Sequence, residues 1–262
     1  MNWVLVWGTF LRCPAKRARG PDRDSEVGFA IKRLGFTPDA VQERVLRGGR
    51  RGIVNCTRQW GKSTVMAAKA VHRAFTRAGC LVLVMSPSGR QSGEFIRKAE
   101  EFVRRLGIRP RGDGDNELSI LLPNGSRIVG LPGTERTLRG FSNVSLMLID
   151  EAARAPDELY RAMRPALATG DGDLWLMSTP NGKRGFFWEE WERGGLEWER
   201  IRVPAEECSR ISARFLEEER AKGEQWYRQE YGCEFLDHEG AVFPADLIEG
   251  AFQGDFEELA AD

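Results

Sequence analysis

The sequence predicts one α/β domain built on a mainly parallel sheet flanked by helices, and three observations carry that prediction. At 262 residues and 41% apolar content the chain can bury one substantial core. Short apolar runs at 81–85, 144–149, where Ser145 is the one polar residue, and 174–177 read as strands buried on both faces. Segments of helical periodicity stand between them, and this βαβ succession closes most economically as a parallel sheet.

Taken in order, residues 1–26 are expected to be a disordered arm or extension, since 12–26 hold Pro14, Gly20, Pro21 and a mixed charge run. The core is expected over 27–200. Thr37 reads as an N-cap, with Pro38 at the first helical position and Asp39 in the first turn. That helix runs through Val41, Val45 and Leu46 and ends at Gly48-Gly49. Gly52 to Cys56 is a short strand, and Gly61 to Ala78 a helix with Met66, Ala70 and Phe75 among its apolar positions. A helix from Gln91 to Leu106 follows the 81–85 strand. Leu118 to Leu122 and Arg127 to Leu131 flank Pro123-Asn124-Gly125-Ser126, which reads as a β-hairpin inserted into the alternation. A helix over Pro156 to Ala168 separates the last two buried strands. Phe186, Phe187, Trp188 and Trp191 fit one apolar helix face.

Residues 201–243 are expected to form a small lid or linker segment. Its aromatics Phe215, Trp226, Tyr227, Tyr231 and Phe235 are read as packing rather than as stacking platforms for bases. Residues 244–262 are an acidic tail, with Asp246, Glu249, Asp255, Glu257 and Glu258 read as a solvated end rather than a metal cluster.

Five cysteines without a C-x-x-C pair indicate neither a disulfide framework nor a zinc site, which points to a reducing cytoplasm. Trp3 to Leu11 is apolar but short and has no basic residue before it, so neither a signal peptide nor a membrane span is expected. Net charge is zero, yet residues 1–111 hold 23 Lys/Arg against 8 Asp/Glu, leaving 16 against 31 in the rest. Such asymmetry suits a basic face for a polyanion, and from charge alone suits ordinary solvated helix faces better.

Chemistry concentrates at three strand ends. Cys56-Thr57-Arg58-Gln59-Trp60-Gly61-Lys62-Ser63-Thr64 has the end of a phosphate-binding loop, with Cys56 where the pattern begins with glycine. In such a loop the backbone N–H groups surround the phosphates. Lys62 would bind the β/γ oxygens, and Ser63 would ligate Mg²⁺. A glycine-punctuated surface turn is the alternative. Leu146 to Ile149 followed by Asp150-Glu151 has the form of a Walker B strand, with Asp150 beside Ser63 for the metal and Glu151 handling the attacking water. A solvated acidic turn is the alternative there. Leu174 to Met177 ends in Ser178-Thr179-Pro180-Asn181-Gly182, where Ser178 or Thr179 could sense the γ-phosphate, or simply make a turn.

These three pieces in this order resemble the ATPase domain of the large terminase subunit, the DNA-packaging motor of tailed bacteriophages. The resemblance runs from about Phe36 to Phe243 and rests on Arg58-Gln59 in the loop, Ile149-Asp150-Glu151-Ala152-Ala153, and Ser178-Thr179-Pro180-Asn181-Gly182. It implies a P-loop NTPase of the additional-strand catalytic-glutamate type with ATP and Mg²⁺ as cofactors, and it tolerates Cys56. It implies that Phe36-Thr37-Pro38 with Gln42 reads adenine, a helix cap followed by a surface glutamine being the equal alternative, that Arg58 touches phosphate or changes partners rather than standing as a solvent-facing loop arginine, and that Gln59, Trp60, Gly61 and Thr64 join the nucleotide site. Ser86-Pro87-Ser88 with Arg90-Gln91 corresponds to a further motif that communicates with DNA, with a capped start to the next helix as the slightly favoured alternative. Leu138-Arg139-Gly140 resembles the segment that extends an arginine finger into a neighbour's ATP. Arg139 is the candidate, with Arg136 and an ordinary surface arginine as alternatives.

The resemblance further implies double-stranded DNA, a homo-oligomeric ring, a portal protein and a small terminase subunit as partners, no membrane, and the host-cell cytoplasm as the location. Large terminases continue into a nuclease domain of ribonuclease-H type, so nuclease activity is not expected of these 262 residues. Two other readings stay open: a helicase-like P-loop ATPase stimulated by nucleic acid, and a truncated prophage remnant without turnover.

Overall fold

The computed structural model describes residues 25–133 and 140–237. Helices α1 (Glu26–Lys32) and α2 (Ala40–Arg47) lead into β1 (Arg51–Cys56), followed by α3 (Lys62–Thr76), β2 (Leu81–Ser86) and α4 (Gly89–Arg105). Then come β3 (Ser119–Leu121), β4 (Arg127–Pro132), β5 (Val144–Asp150), α5 (Asp157–Ala168), β6 (Asp173–Ser178), α6 (Gly185–Glu192) and β7 (Trp198–Val203). Helices α7 (Ala213–Arg220) and α8 (Glu224–Glu230) close the order.

The seven strands lie in the order β3-β4-β2-β5-β6-β1-β7, and every pairing is parallel except β3 with β4. One strand, β6, separates β1, which feeds the phosphate loop, from β5, which ends in Asp150. This is the additional-strand arrangement that the resemblance implies. The continuous apolar strands are explained by two cores. On one face Val54, Val82, Val84, Leu146, Leu148 and Met177 pack under α1 to α4. On the other, Ile53, Leu83, Met85, Met147, Ile149 and Leu176 meet Leu159 and Met163 of α5 and Phe186 and Phe187 of α6. The central strands therefore have no solvent face on which polar residues could alternate.

Four readings of the sequence change. The cap of α2 is Asp39, not Thr37: Asp39 accepts from the Gln42 N–H at 2.8 Å while Gln42 Oε1 accepts from the Asp39 N–H at 3.1 Å, a reciprocal capping box. The β-hairpin is no insertion, because β4 is a parallel partner of β2 from Leu81↔Arg127 to Ser86↔Pro132 and β3 alone runs antiparallel at the edge. The boundary expected between 200 and 201 falls inside β7, which pairs with β1 along its length. Phe215 and Trp226 are exposed, whereas Tyr227 and Tyr231 pack with Ala205 and Leu216. Among the described residues Cys56, Cys80, Cys208 and Cys233 are free thiols, and no helix is long and apolar enough to cross a membrane.

Candidate functional site

Parallel strands deliver their C-terminal ends to one edge, and there β1, β5 and β6 bring the three motifs together. Asn55 is in register with Ser178, and Asp150 with Met177. The turn from β1 into α3 needs left-handed backbone at Gln59 (φ 66°) and Gly61 (φ 98°). Gly61 supplies it without steric cost. Cys56 is not at such a position: it is the last residue of β1, buried in the core, and burial pushes its thiol up to about 12. A glycine is not required where the strand has yet to turn.

The 15-residue α3 opens at the loop with no side-chain cap, so its first N–H groups and the positive end of its dipole face the cleft. Lys62 Nζ lies 2.5 Å from Glu151 Oε1, and Ser63 Oγ donates to Asp150 Oδ2 at 3.3 Å. Burial works against the Lys62 charge, but Asp150 and Glu151 outweigh it and hold the ammonium above the ordinary lysine range. Asp150 is 6% exposed, and its burial raises its carboxyl despite the pull of Lys62. A hydroxyl and a buried carboxylate side by side at the start of the helix are hard oxygen donors, a set that fits Mg²⁺ shared with phosphate oxygens. Glu151 itself holds a left-handed backbone, φ 52°, which turns its carboxylate from the end of β5 toward Lys62.

The cleft has a volume of about 560 Å³, and Arg58, Gln59, Lys62, Ser63, Glu151 and Arg154 line it together with Pro87, Gln91 and Lys98 from the β2–α4 side. Ser88 caps α4 by accepting from the Gln91 N–H, which sets Pro87 and Gln91 on the cleft wall. A second hollow of about 460 Å³ also has Lys98 in its wall, with Phe36, Thr37 and Thr64. The other expected residues divide. Trp60 turns its ring into the core and leaves only its backbone for the loop. Gln42, 1% exposed, is committed within the protein, since Oε1 serves the α2 cap and Nε2 donates to the Trp60 carbonyl at 3.2 Å. Ser178 and Thr179 are buried, with Ser178 Oγ donating to the Thr179 carbonyl at 2.7 Å. Arg136 and Arg139 lie outside the described residues.

Sequence reasoning missed Arg154 and Glu230. Arg154 Nη1 donates to Thr179 Oγ1 at 2.9 Å and lies 3.3 Å from Glu151 Oε2, while Nη2 reaches Glu230 Oε1 at 3.0 Å. Glu230, on α8, also accepts from Arg58 Nε at 2.7 Å. The i,i+3 spacing from Glu151 was the one available signal for Arg154. Nothing local marks Glu230, whose partners are far away in sequence.

A family model described as terminase large subunit, T4likevirus-type, N-terminal, matches residues 53–249. The large terminase subunit of Thermus phage G20c is 28% identical over 270 aligned positions, covering 87% of this chain and 53% of its own, so the chain spans about half the length of that curated relative. The large terminase ATPase domain of Thermus phage P74-26 superposes with a TM-score of 0.72 at 24% identity, over 82% of this chain and all of that one. The large terminase of a second thermophilic bacteriophage, solved in complex with ADP, has a TM-score of 0.62 at 15% identity, over 75% of this chain and 53% of that one. At such identities the two structures speak for the fold, a P-loop α/β domain of mostly parallel sheet.

Proposed function

Because the chain belongs to the family of large terminase subunits, matched over its N-terminal part, we propose that it is the ATP-hydrolysing part of a DNA-packaging motor, coupling Mg·ATP hydrolysis to movement of double-stranded DNA. One observation carries the reading: Lys62 and Ser63 at the start of α3 face Asp150-Glu151 at the end of β5, across one intervening strand. A surface turn or a solvated acidic pair does not bury these groups against each other.

In this reading the N-terminal amides of α3 and the Lys62 ammonium bind the β- and γ-phosphate oxygens. Ser63 and Asp150 would hold Mg²⁺, which would supply positive charge to offset that of the phosphate oxygens. The phosphates draw Lys62 away from Glu151 and free that carboxylate to orient and deprotonate the attacking water. Arg58, with its side chain half in solvent at the cleft mouth, contacts phosphate. Ser178 and Thr179 pass the loss of γ-phosphate to the segment after β6. Phe36 and Thr37 place the base at the second hollow, and Gln42 acts by holding the loop through the Trp60 carbonyl. The motor is a homo-oligomeric ring that takes an arginine finger, Arg139, from a neighbour. It works in the host-cell cytoplasm with a portal protein and a small terminase subunit.

The test is ATP turnover by the purified chain, with and without double-stranded DNA, beside Lys62→Ala. Turnover that needs Mg²⁺, rises with DNA and falls roughly a hundredfold to a thousandfold in the variant supports the reading. No turnover under any of these conditions, or unchanged turnover in Lys62→Ala, overturns it.

A further inference from the structure

Five charged side chains form an alternating series that starts and ends in the phosphate loop. Lys62 meets Glu151, whose second oxygen meets Arg154. The other nitrogen of Arg154 meets Glu230, whose second oxygen meets Arg58. Each carboxylate is thus shared between one cation of the loop and one cation outside it. That outside cation is the same for both, Arg154.

Glu230 has a side chain 2% exposed, so water cannot replace a lost partner, and a buried carboxylate without a cation is strongly disfavoured. Its backbone carbonyl also accepts from Thr57 Oγ1 at 3.2 Å, which seats the end of α8 against the loop. Polyphosphate entering the cleft competes with Glu151 for Lys62 and with Glu230 for Arg58, since both cations line it. Both carboxylates then depend on Arg154. A guanidinium can serve both at once through separate nitrogens, while a third contact to Thr179 Oγ1 fixes its plane.

Resting on the ATP-hydrolysis reading above, we propose that Arg154 is the positioning residue of this site. When the phosphates take Lys62 and Arg58, Arg154 holds the Glu151 carboxylate for the water and keeps α8 seated through Glu230. The posture of Glu151 and the seating of α8 are therefore one linked equilibrium.

The experiment compares wild type with Arg154→Ala, Arg154→Lys, Glu230→Gln and the double variant Arg154→Ala/Glu230→Gln. Steady-state ATP turnover is read beside ATPγS affinity by calorimetry and the melting temperature. The expected result is a kcat about tenfold or more lower in Arg154→Ala, with ATPγS affinity within about twofold of wild type. Arg154→Lys, which keeps the charge but reaches one carboxylate at a time, falls between the two. Glu230→Gln lowers kcat in the same way, and the double variant is no slower than Arg154→Ala alone. A wild-type kcat in Arg154→Ala overturns the proposal, as does a double variant slowed by the product of the single effects. A loss of ATPγS affinity equal to the loss of kcat also overturns it, because that is what a merely structural arginine produces. If Arg154→Ala does not fold, Glu230→Gln, nearly isosteric, decides by the same split between kcat and affinity. A wild type as inactive as Lys62→Ala marks failure of the hydrolysis reading instead.

Discussion

Two lysines on α3, two turns apart, are both withdrawn from solvent and have opposite electrostatic fates. Lys62 meets carboxylates, and its ammonium is held above the ordinary range. Lys69, 5% exposed, meets no carboxylate at contact distance among its described hydrogen bonds. It donates to the carbonyls of Val45 and Leu46, each at 3.0 Å, and of Gly48 at 3.3 Å, and it sits 4.5 Å from the centre of the Trp175 ring. Burial there brings its pKa down to about 8. One helix thus carries a charge at its cleft-facing end and a charge deep in the core that closes the C-terminal end of α2. A side-chain partner such as Glu151 can give way to an incoming anion, whereas backbone carbonyls cannot, and in the proposed reading that difference separates a phosphate-binding lysine from a structural one.

The comparison breaks most visibly at the cleft-facing end. Asp150→Asn keeps the shape of the Ser63 contact but removes the charge for Mg²⁺, and ATP turnover is expected to fall roughly a hundredfold or more with the melting temperature little changed. Next comes Lys69→Ala, which leaves three carbonyls without their donor and a void under Trp175. Chemical denaturation should show a loss of about 2–4 kcal/mol, and what folded protein remains should retain nucleotide binding. If Lys69→Ala loses turnover while keeping full stability, the two lysines do not differ as described.

The pH dependence sharpens the same contrast. Lys69 is more easily deprotonated in the folded than in the unfolded chain, so its charging cost is fully present below about pH 8 and is relieved as pH rises toward the ordinary lysine value of 10.5. Denaturation of wild type against Lys69→Met should reveal a gain of about 2 kcal/mol in wild type relative to the variant between pH 8 and pH 10. A flat difference removes the burial account. A comparable effect is expected at Gly52, where an added Cβ would come within 2.4 Å of the Trp175 ring over which Lys69 sits. Gly52→Ala should cost about 1–3 kcal/mol in denaturation without changing nucleotide affinity.

Where strands are buried on both faces, the sequence announces them: Leu81 to Met85 and Leu146 to Ile149 have no polar interruption. The edge strand β7 escapes notice because the adjacent charges Glu199 and Arg200, with Arg202, break any regular alternation with Trp198, Ile201 and Val203, and that irregular pattern looks like a connector. The α2 cap was misplaced because Thr37-Pro38 offers a plausible start, and only the reciprocal Asp39–Gln42 bonds decide between the two. In the site, Lys62, Ser63, Asp150 and Glu151 were legible because each belongs to a short local motif at a strand end. Arg154 and Glu230 were not, since their pairing joins segments 76 positions apart and leaves no local pattern. Gln42 was legible as important but not in its geometry, because its amide is used up inside the protein.

The central claim is that Glu151, paired with Lys62 at the head of α3, is released by phosphate to act on water. The most direct measurement is Mg·ATP affinity and single-turnover hydrolysis for wild type and Glu151→Gln under identical conditions. The expected result is affinity within about twofold of wild type, with hydrolysis slowed about a hundredfold or more. Hydrolysis by Glu151→Gln at the wild-type rate would contradict the account.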